Sequence, residues 1–239
     1  MQGFGSSMVD FAPWDELLRT YVDEQGRVDY QRWQTESVKP LENWLDSLQG
    51  TKLSKLPGDE QLALLINFYN ALTIRQVLEV YPIDSIFPKV WGVPNLWSFW
   101  RFFTRSLYTL EEEPLSLNQI EHGILRRWFR EPRIHFALVC ASMGCPQLRN
   151  GAYWGDRVKS QLEEDAWRFI RNPDKVRYAA ETETLYCSKI FRWYGQDFSK
   201  ATESVPQYIG QYLPEVKTAK SLTIRYLPYD WSLNQRTSS

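Results

Sequence analysis

The chain has only two histidines, His122 and His135, thirteen residues apart, and two of its three cysteines, Cys140 and Cys145, follow directly. A thiol near an imidazole is the makings of a nucleophile. The imidazole takes the thiol proton, and later returns it to the leaving group. The run Ser142-Met143-Gly144-Cys145-Pro146 follows the apolar stretch Ile134–Val139. Gly144 permits a tight turn there. A thiol beside free backbone N–H groups has a lowered pKa, and the same N–H groups would hold an oxyanion. The expected arrangement is Cys145 as nucleophile and His122 as base, supported by Glu121 or His135. Glu121, Asp197 or Asp230 would orient the ring. The residues alone do not decide between His122 and His135 as the base.

Three other readings use the same residues. In the first, Cys140 and Cys145 are small buried hydrophobes and the histidines satisfy core hydrogen bonds. In the second, His122, His135, Cys140 and Cys145 supply four ligands to zinc, although their spacing is not that of a zinc knuckle. The expectation is therefore no metal and no cofactor. In the third, Cys140 and Cys145 cycle between dithiol and disulfide, with a spacing unlike the tight Cys-X-X-Cys of oxidoreductases.

Other polar residues stand out by context. Asn67 and Asn70 interrupt the most apolar stretch, where a buried amide must be hydrogen-bonded. They either pin a neighbouring loop or orient a substrate amide. Lys189 and Arg192 could bind an anion, although a solvated helix face is the simpler reading. Asp230 suits a turn cap. Trp91, Trp97 and Trp100 could form a partner-binding or ligand-stacking surface, and this Trp-rich 91–100 loop is the candidate for a protein partner.

These residues need positioning elements. Phe11, Trp14, Leu17, Leu18 and Tyr21 recur at helical spacing, and a second helix is expected from Tyr30 to near Leu48. A third begins at Asp59, is too apolar all round to lie on the surface, and stops at Pro82. Residues 83–100 read as an irregular aromatic loop, and Phe102–Leu110 as strand or hairpin. Ser116-Leu-Asn-Gln119 has the spacing of a capping box, starting a helix that runs to about Phe129. Ile134–Val139 reads as a buried strand. A helix over 155–171, a hairpin from Lys175–Ala180 and Thr184–Cys187, short helices at Lys189–Trp193 and Val205–Leu213, and a last strand Leu222–Leu227 complete the chain. Without regular βαβ alternation, the fold class is α+β. Residues 1–50 would form a helical segment packed on the core domain, 51–239, whose small sheet is mostly antiparallel.

Composition narrows the function class. Lys and Arg number 28 against 29 Asp and Glu, so no global basic field points to nucleic acid. No apolar run approaches a membrane span. The start of the chain lacks a basic n-region and an apolar h-region, so no signal peptide is expected. Cytoplasmic placement is the default expectation, with export if a signal was removed. A reducing compartment follows, with a Cys140–Cys145 bridge as the exception.

At five motifs the chain resembles a known family. Ile66-Asn-Phe-Tyr-Asn-Ala-Leu-Thr73, Ile120-Glu-His-Gly-Ile-Leu-Arg126 and Ile134-His-Phe-Ala-Leu-Val-Cys-Ala-Ser142 with Gly144-Cys-Pro146 are three of them. Ser188-Lys-Ile-Phe with Trp193-Tyr194 and Asp197-Phe198, and Tyr229-Asp-Trp-Ser-Leu-Asn234, are the others. Together and in this order they look like the domain of unknown function 547 family, over roughly residues 55–200 and the tail near 230. The family's polar signature then falls at Asn67, Asn70, Glu121, His122, His135, Ser142, Cys145 and Lys189. The resemblance implies a site there. The expected function is a cysteine-dependent hydrolase or acyl transferase of the papain/transglutaminase type, with the chain order permuted because His precedes Cys. Its substrates would be small amide or peptide-like molecules, with Asn67, Asn70, Ser142, Lys189, Tyr194 and Asp230 as candidates for holding them.

Overall fold

A computed structural model describes residues 9–90, 93–106, 108–111, 113–218 and 221–236. Three helices open it: α1 (Ala12–Tyr21), α2 (Tyr30–Glu36) and α3 (Val38–Ser47). The helix expected over 30–48 is broken at Ser37, whose φ of −142° is not helical. The cause is Pro40. It is tolerated in the first turn of α3, but inside one continuous helix it would clash with the preceding turn and remove a hydrogen bond. Trp14 of α1 stacks on Trp44 of α3 with centroids 5.5 Å apart, and Tyr21 stacks on Trp33 of α2 at 4.9 Å.

These helices share one hydrophobic cluster with α4 (Gly58–Val80). At 1.5 Å per residue α4 is roughly 34 Å long. It is apolar all round and buried from Leu62 to Leu78 except at Arg75, as a helix without a polar face must be. It ends at Tyr81, just before Pro82.

The segment that follows departs from expectation. After β1 (Lys89–Val90) and β2 (Val93–Pro94), residues Leu96–Thr104 form helix α5. Asn95 caps it, its Oδ1 accepting from the Ser98 N–H at 3.0 Å, and a capped start decided the conformation of an aromatic run that also suits a strand. Among the described residues of 102–110, Tyr108–Leu110 (β3) is strand, paired antiparallel with Glu113–Leu115 (β4). Trp91 lies outside the described residues.

The capping box is present. Gln119 Oε1 accepts from the Ser116 N–H at 2.9 Å, and Ser116 Oγ accepts from the Gln119 N–H at 3.3 Å. The helix it starts is π-wound over Gln119–Leu125 before becoming α-helical as α6 (Arg126–Trp128). Wide turns of this kind are rare and cluster at functional sites. Ser116→Ala should cost about 1 kcal/mol by loss of the cap, measurable by urea denaturation.

Ile134–Val139 is not a strand. Pro132–Phe136 is a 3₁₀ turn, Ala137 is still helical in conformation, and residues 138–140 have no regular secondary structure. A short apolar run does not distinguish the two, and Pro132 starts the turn. Next come α7 (Val158–Ile170), the hairpin β5 (Val176–Ala179) and β6 (Thr184–Cys187), α8 (Ile190–Trp193), α9 (Gly195–Thr202), α10 (Val205–Gly210) and β7 (Thr223–Tyr226). β5 pairs antiparallel with β6, and β7 joins β6 in parallel. The result is a mixed α+β fold whose small sheets are mostly antiparallel. A second hydrophobic cluster, centred on Phe136, Phe191 and Phe198, lies under this part.

Candidate functional site

The two asparagines of α4 act as backbone clamps. Asn67 donates to Tyr153 O at 2.7 Å and accepts from Tyr153 N–H at 2.9 Å. Asn70 donates to Ala137 O and accepts from Val139 N–H, both at 3.0 Å. Asn70 thus pins the irregular segment that leads into Cys140. Neither asparagine lines the cleft described next, so both fall to the pinning reading.

That cleft, about 390 Å³, is walled by Phe99 and Phe103 of α5, Leu138, Ile190, Trp193 and Trp231. Its polar groups are few and convergent: Tyr69, Asn118, Glu121, His122, His135, Tyr194 and Tyr229, with Cys140 and Cys145. A mostly apolar cleft with a few convergent polar groups is the usual form of a small-molecule site. All four residues expected to be catalytic lie on its wall.

Cys140 and Cys145 are joined by a disulfide, the exception anticipated from their proximity. Hydrogen-bond donors surround Cys145 Sγ: the Cys140 N–H at 3.0 Å, Tyr229 Oη at 3.2 Å and Ser142 Oγ at 3.4 Å. In the disulfide this sulfur carries no proton; donors of this kind favour a thiolate only once the bond is reduced. The free cysteine, Cys187, is buried, and burial pushes its thiol up to about 12.

The backbone of the 143–145 turn is not free, contrary to the expected oxyanion donors. Met143 N–H is bonded to Ser232 O, Gly144 N–H to Asp230 O, and Cys145 N–H to Ser142 O. The segment 229–234 lies against the turn and takes the first two of these N–H groups. A Cβ on Gly144 would meet Asp230 O and the Tyr229 ring at 2.8 Å, so glycine is required there by this close approach.

The two histidines are held in different states. His122 Nδ1 lies 2.7 Å from Arg126 Nη1. A guanidinium only donates, so Nδ1 accepts and the ring proton sits on Nε2. In this geometry His122 is a donor toward the cleft side, where Glu121 Oε1 is 3.9 Å from Nε2. His135 Nε2 lies 2.8 Å from Asp197 Oδ2. A carboxylate accepts, so Nε2 carries the proton and Nδ1 holds the free lone pair. Burial lowers the His135 pKa against the pull of Asp197, so the ring is neutral and able to accept a proton.

Asp197 is the pivot. Arg126 grips it through two bonds, Nε–Oδ2 at 2.6 Å and Nη2–Oδ1 at 3.0 Å. Burial would raise its pKa, but the bonds from His135 and Arg126 outweigh burial and hold it well below the carboxylate range. Tyr194 stacks on His135 with centroids 3.8 Å apart. Tyr194 also bonds Glu121, as does Tyr69 Oη at 3.3 Å. Burial, reinforced by Glu121, raises both phenols, so both remain O–H donors to this buried carboxylate.

The remaining candidates separate. Ser142 is buried beside the sulfurs. Asp230 caps a turn, accepting from Ser232 N–H at 2.9 Å and Ser232 Oγ at 2.6 Å. It lines a second, polar cleft on the far side of the 142–146 turn. Lys189 is half-buried ahead of α8 and lines neither cleft. Among the described residues no group of three or more His, Cys, Asp or Glu side chains is gathered as metal ligands, and no helix is long and apolar enough to cross a membrane.

Arg126, Tyr69 and Tyr229 stand in the sequence only inside motifs or apolar patterns. Arg126 had one legible signal, a four-residue spacing from His122 on one helix face.

No curated protein and no solved structure matches the chain. A family model does, over residues 53–170, the span that carries α4, Glu121, His122, His135 and both linked cysteines, while Tyr194, Asp197 and Tyr229 lie beyond it. The chain therefore carries a domain of the family described as "Protein of unknown function, DUF547".

Proposed function

We propose that this is a cysteine-dependent acyl-transfer or hydrolase site, with reduced Cys145 as nucleophile and His135, rather than His122, as base. The observation that carries the reading is the convergence on one cleft of a donor-surrounded Cys145 sulfur and a neutral His135 held by Asp197. The thiol proton passes to His135 Nδ1. The thiolate adds to an acyl carbon, and the imidazolium protonates the leaving group. Water or an acceptor, deprotonated by the same ring, then releases the acyl group. His122 Nε2–H is the candidate for stabilising the oxyanion in place of the occupied backbone N–H groups, since the phenols of Tyr69 and Tyr194 already donate to Glu121. The order of groups is papain/transglutaminase-like in role and permuted in sequence. The apolar walls suit acyl groups with apolar or aromatic substituents, including amide and peptide-like molecules.

The Cys140–Cys145 bond favours a second reading, dithiol–disulfide exchange. One experiment separates them. The reduced chain is incubated with a panel of activated thioesters and esters, and intact mass is followed. Acyl transfer predicts an adduct on Cys145 that turns over, absent from the oxidised chain and from Cys145→Ala. Exchange predicts no adduct, and catalytic oxidation of added dithiols instead. Cys187 should remain unlabelled until the chain is unfolded.

A further inference from the structure

The two bonded sulfurs, Cys140 and Cys145, sit in different surroundings. Both line the cleft, but Cys145 is only 5% exposed, whereas Cys140 is half-buried. Ser142 Oγ and Tyr229 Oη reach both, at 3.3 and 3.4 Å from Cys140 Sγ and at 3.4 and 3.2 Å from Cys145 Sγ. Each hydroxyl has one proton to give. The Cys140 N–H, 3.0 Å away, serves Cys145 Sγ, and this fixed backbone donor is what distinguishes the pair. It makes Cys145 the more readily ionised thiol once the bond is open, and the better leaving sulfur while it is closed. The third cysteine, Cys187, is buried in the second hydrophobic cluster and faces neither sulfur.

A readily ionised thiol on a cleft, with a second thiol in bonding reach, is the arrangement of a cysteine that oxidises reversibly. Reduced Cys145 gives its proton to His135, and the thiolate attacks one oxygen of a hydroperoxide. The O–O bond breaks, Cys145 becomes a sulfenic acid, and the other oxygen leaves as water or alcohol with the proton from His135. The Cys140 sulfur then attacks the Cys145 sulfur. The S–O bond breaks, and the hydroxyl leaves as water with the Cys140 proton. Without that step, further peroxide carries the sulfenic acid to sulfinic and sulfonic acids, which thiols do not reverse. The return path begins at Cys140, the more exposed sulfur. An external dithiol attacks it, and Cys145 leaves as a thiolate among its donors. The second thiol of the reductant then frees Cys140 and closes the reductant's own disulfide.

We propose that Cys140 is a resolving cysteine that places the site under redox control. The Cys140–Cys145 disulfide is the stored, inactive form; a dithiol opens it, and a hydroperoxide closes it before Cys145 is irreversibly oxidised. The proposal rests on the reading of Cys145 as the nucleophile. It differs from dithiol–disulfide exchange because the bond governs the site's reaction and is not itself that reaction.

The test treats the reduced full chain with hydrogen peroxide and follows each cysteine by peptide mass spectrometry, before and after dithiothreitol, in wild type, Cys140→Ser and Cys140→Ala. The expected wild-type product is the Cys140–Cys145 disulfide, fully restored by dithiothreitol. In both variants Cys145 should pass to sulfinic or sulfonic acid, with irreversible loss greater than wild type by roughly tenfold or more at the same dose. Irreversible oxidation of Cys145 as the main wild-type product would overturn the proposal, whatever the variants do. So would Cys145 remaining fully reducible in both variants. Iodoacetamide separates this from the reading beneath it. If peroxide leaves Cys145 untouched while iodoacetamide alkylates it selectively, redox control alone falls. If Cys145 reacts with neither, the nucleophile reading falls too.

Discussion

Asp197→Asn is expected to slow acylation of reduced Cys145 by about 10²-fold, the scale of a lost general base. It should also weaken the fold by about 2–3 kcal/mol, the scale of hydrogen bonds to a charged group. The carboxylate accepts from His135 Nε2 and, twice, from Arg126. An asparagine has one acceptor oxygen and a donor amide, so a donor must face a donor, and the imidazolium loses its counter-charge. The pH dependence has a definite sign. The Asp197 pKa is depressed in the fold, so its contribution is present above the ordinary value of 3.8 and is lost as pH falls through the folded value. His135 is also depressed, so the unfolded chain takes up its proton first and stability declines as pH drops below 6.5. Wild-type Tm should therefore fall in two stages on acidification. Asp197→Asn should lose the lower stage and keep the upper one. Thermal unfolding between about pH 1 and pH 8 measures both.

Asn70→Leu should be among the most damaging single changes. It strands Ala137 O and Val139 N–H in a buried setting. Two unsatisfied buried groups cost about 3 kcal/mol together, a fall in Tm of roughly 6–12 °C for a chain of this length. The irregular segment they belong to leads into Cys140, so the disulfide and the sulfur environment should loosen with it. Faster reduction of the Cys140–Cys145 bond by dithiothreitol, compared with wild type, would report that loosening.

The α+β class and the residues that gather on one cleft were legible in the sequence, and several of the elements around them were not. The scarcity of histidine and the clustering of Glu121, His122, His135 and Cys145 identified one wall of the cleft without coordinates. The local signals with a direct mechanism also held: the Ser116–Gln119 box, the all-apolar α4 and the β5–β6 hairpin. The Ile134–Val139 run misled because its strand-like composition is served by a side chain, Asn70, where a partner strand was expected. The Trp-rich run misled because Asn95 caps it as a helix. The roles of the histidines were hidden for a different reason. Arg126 and Asp197 are distant in sequence and meet only in the fold, and it is their donor and acceptor character that fixes each ring's proton. The same holds for the Met143 and Gly144 N–H groups, which are claimed by a segment some ninety residues later.

The most direct measurement is the pH–rate profile of iodoacetamide alkylation at Cys145 in the reduced protein, read by mass spectrometry in wild type and His135→Gln. A histidine-paired thiolate predicts rapid, Cys145-selective alkylation that persists below pH 7. In the variant the profile should move to that of an ordinary thiol, near pH 8.5. Superimposable profiles, or Cys145 reacting no faster than buried Cys187, would contradict a nucleophile paired with His135.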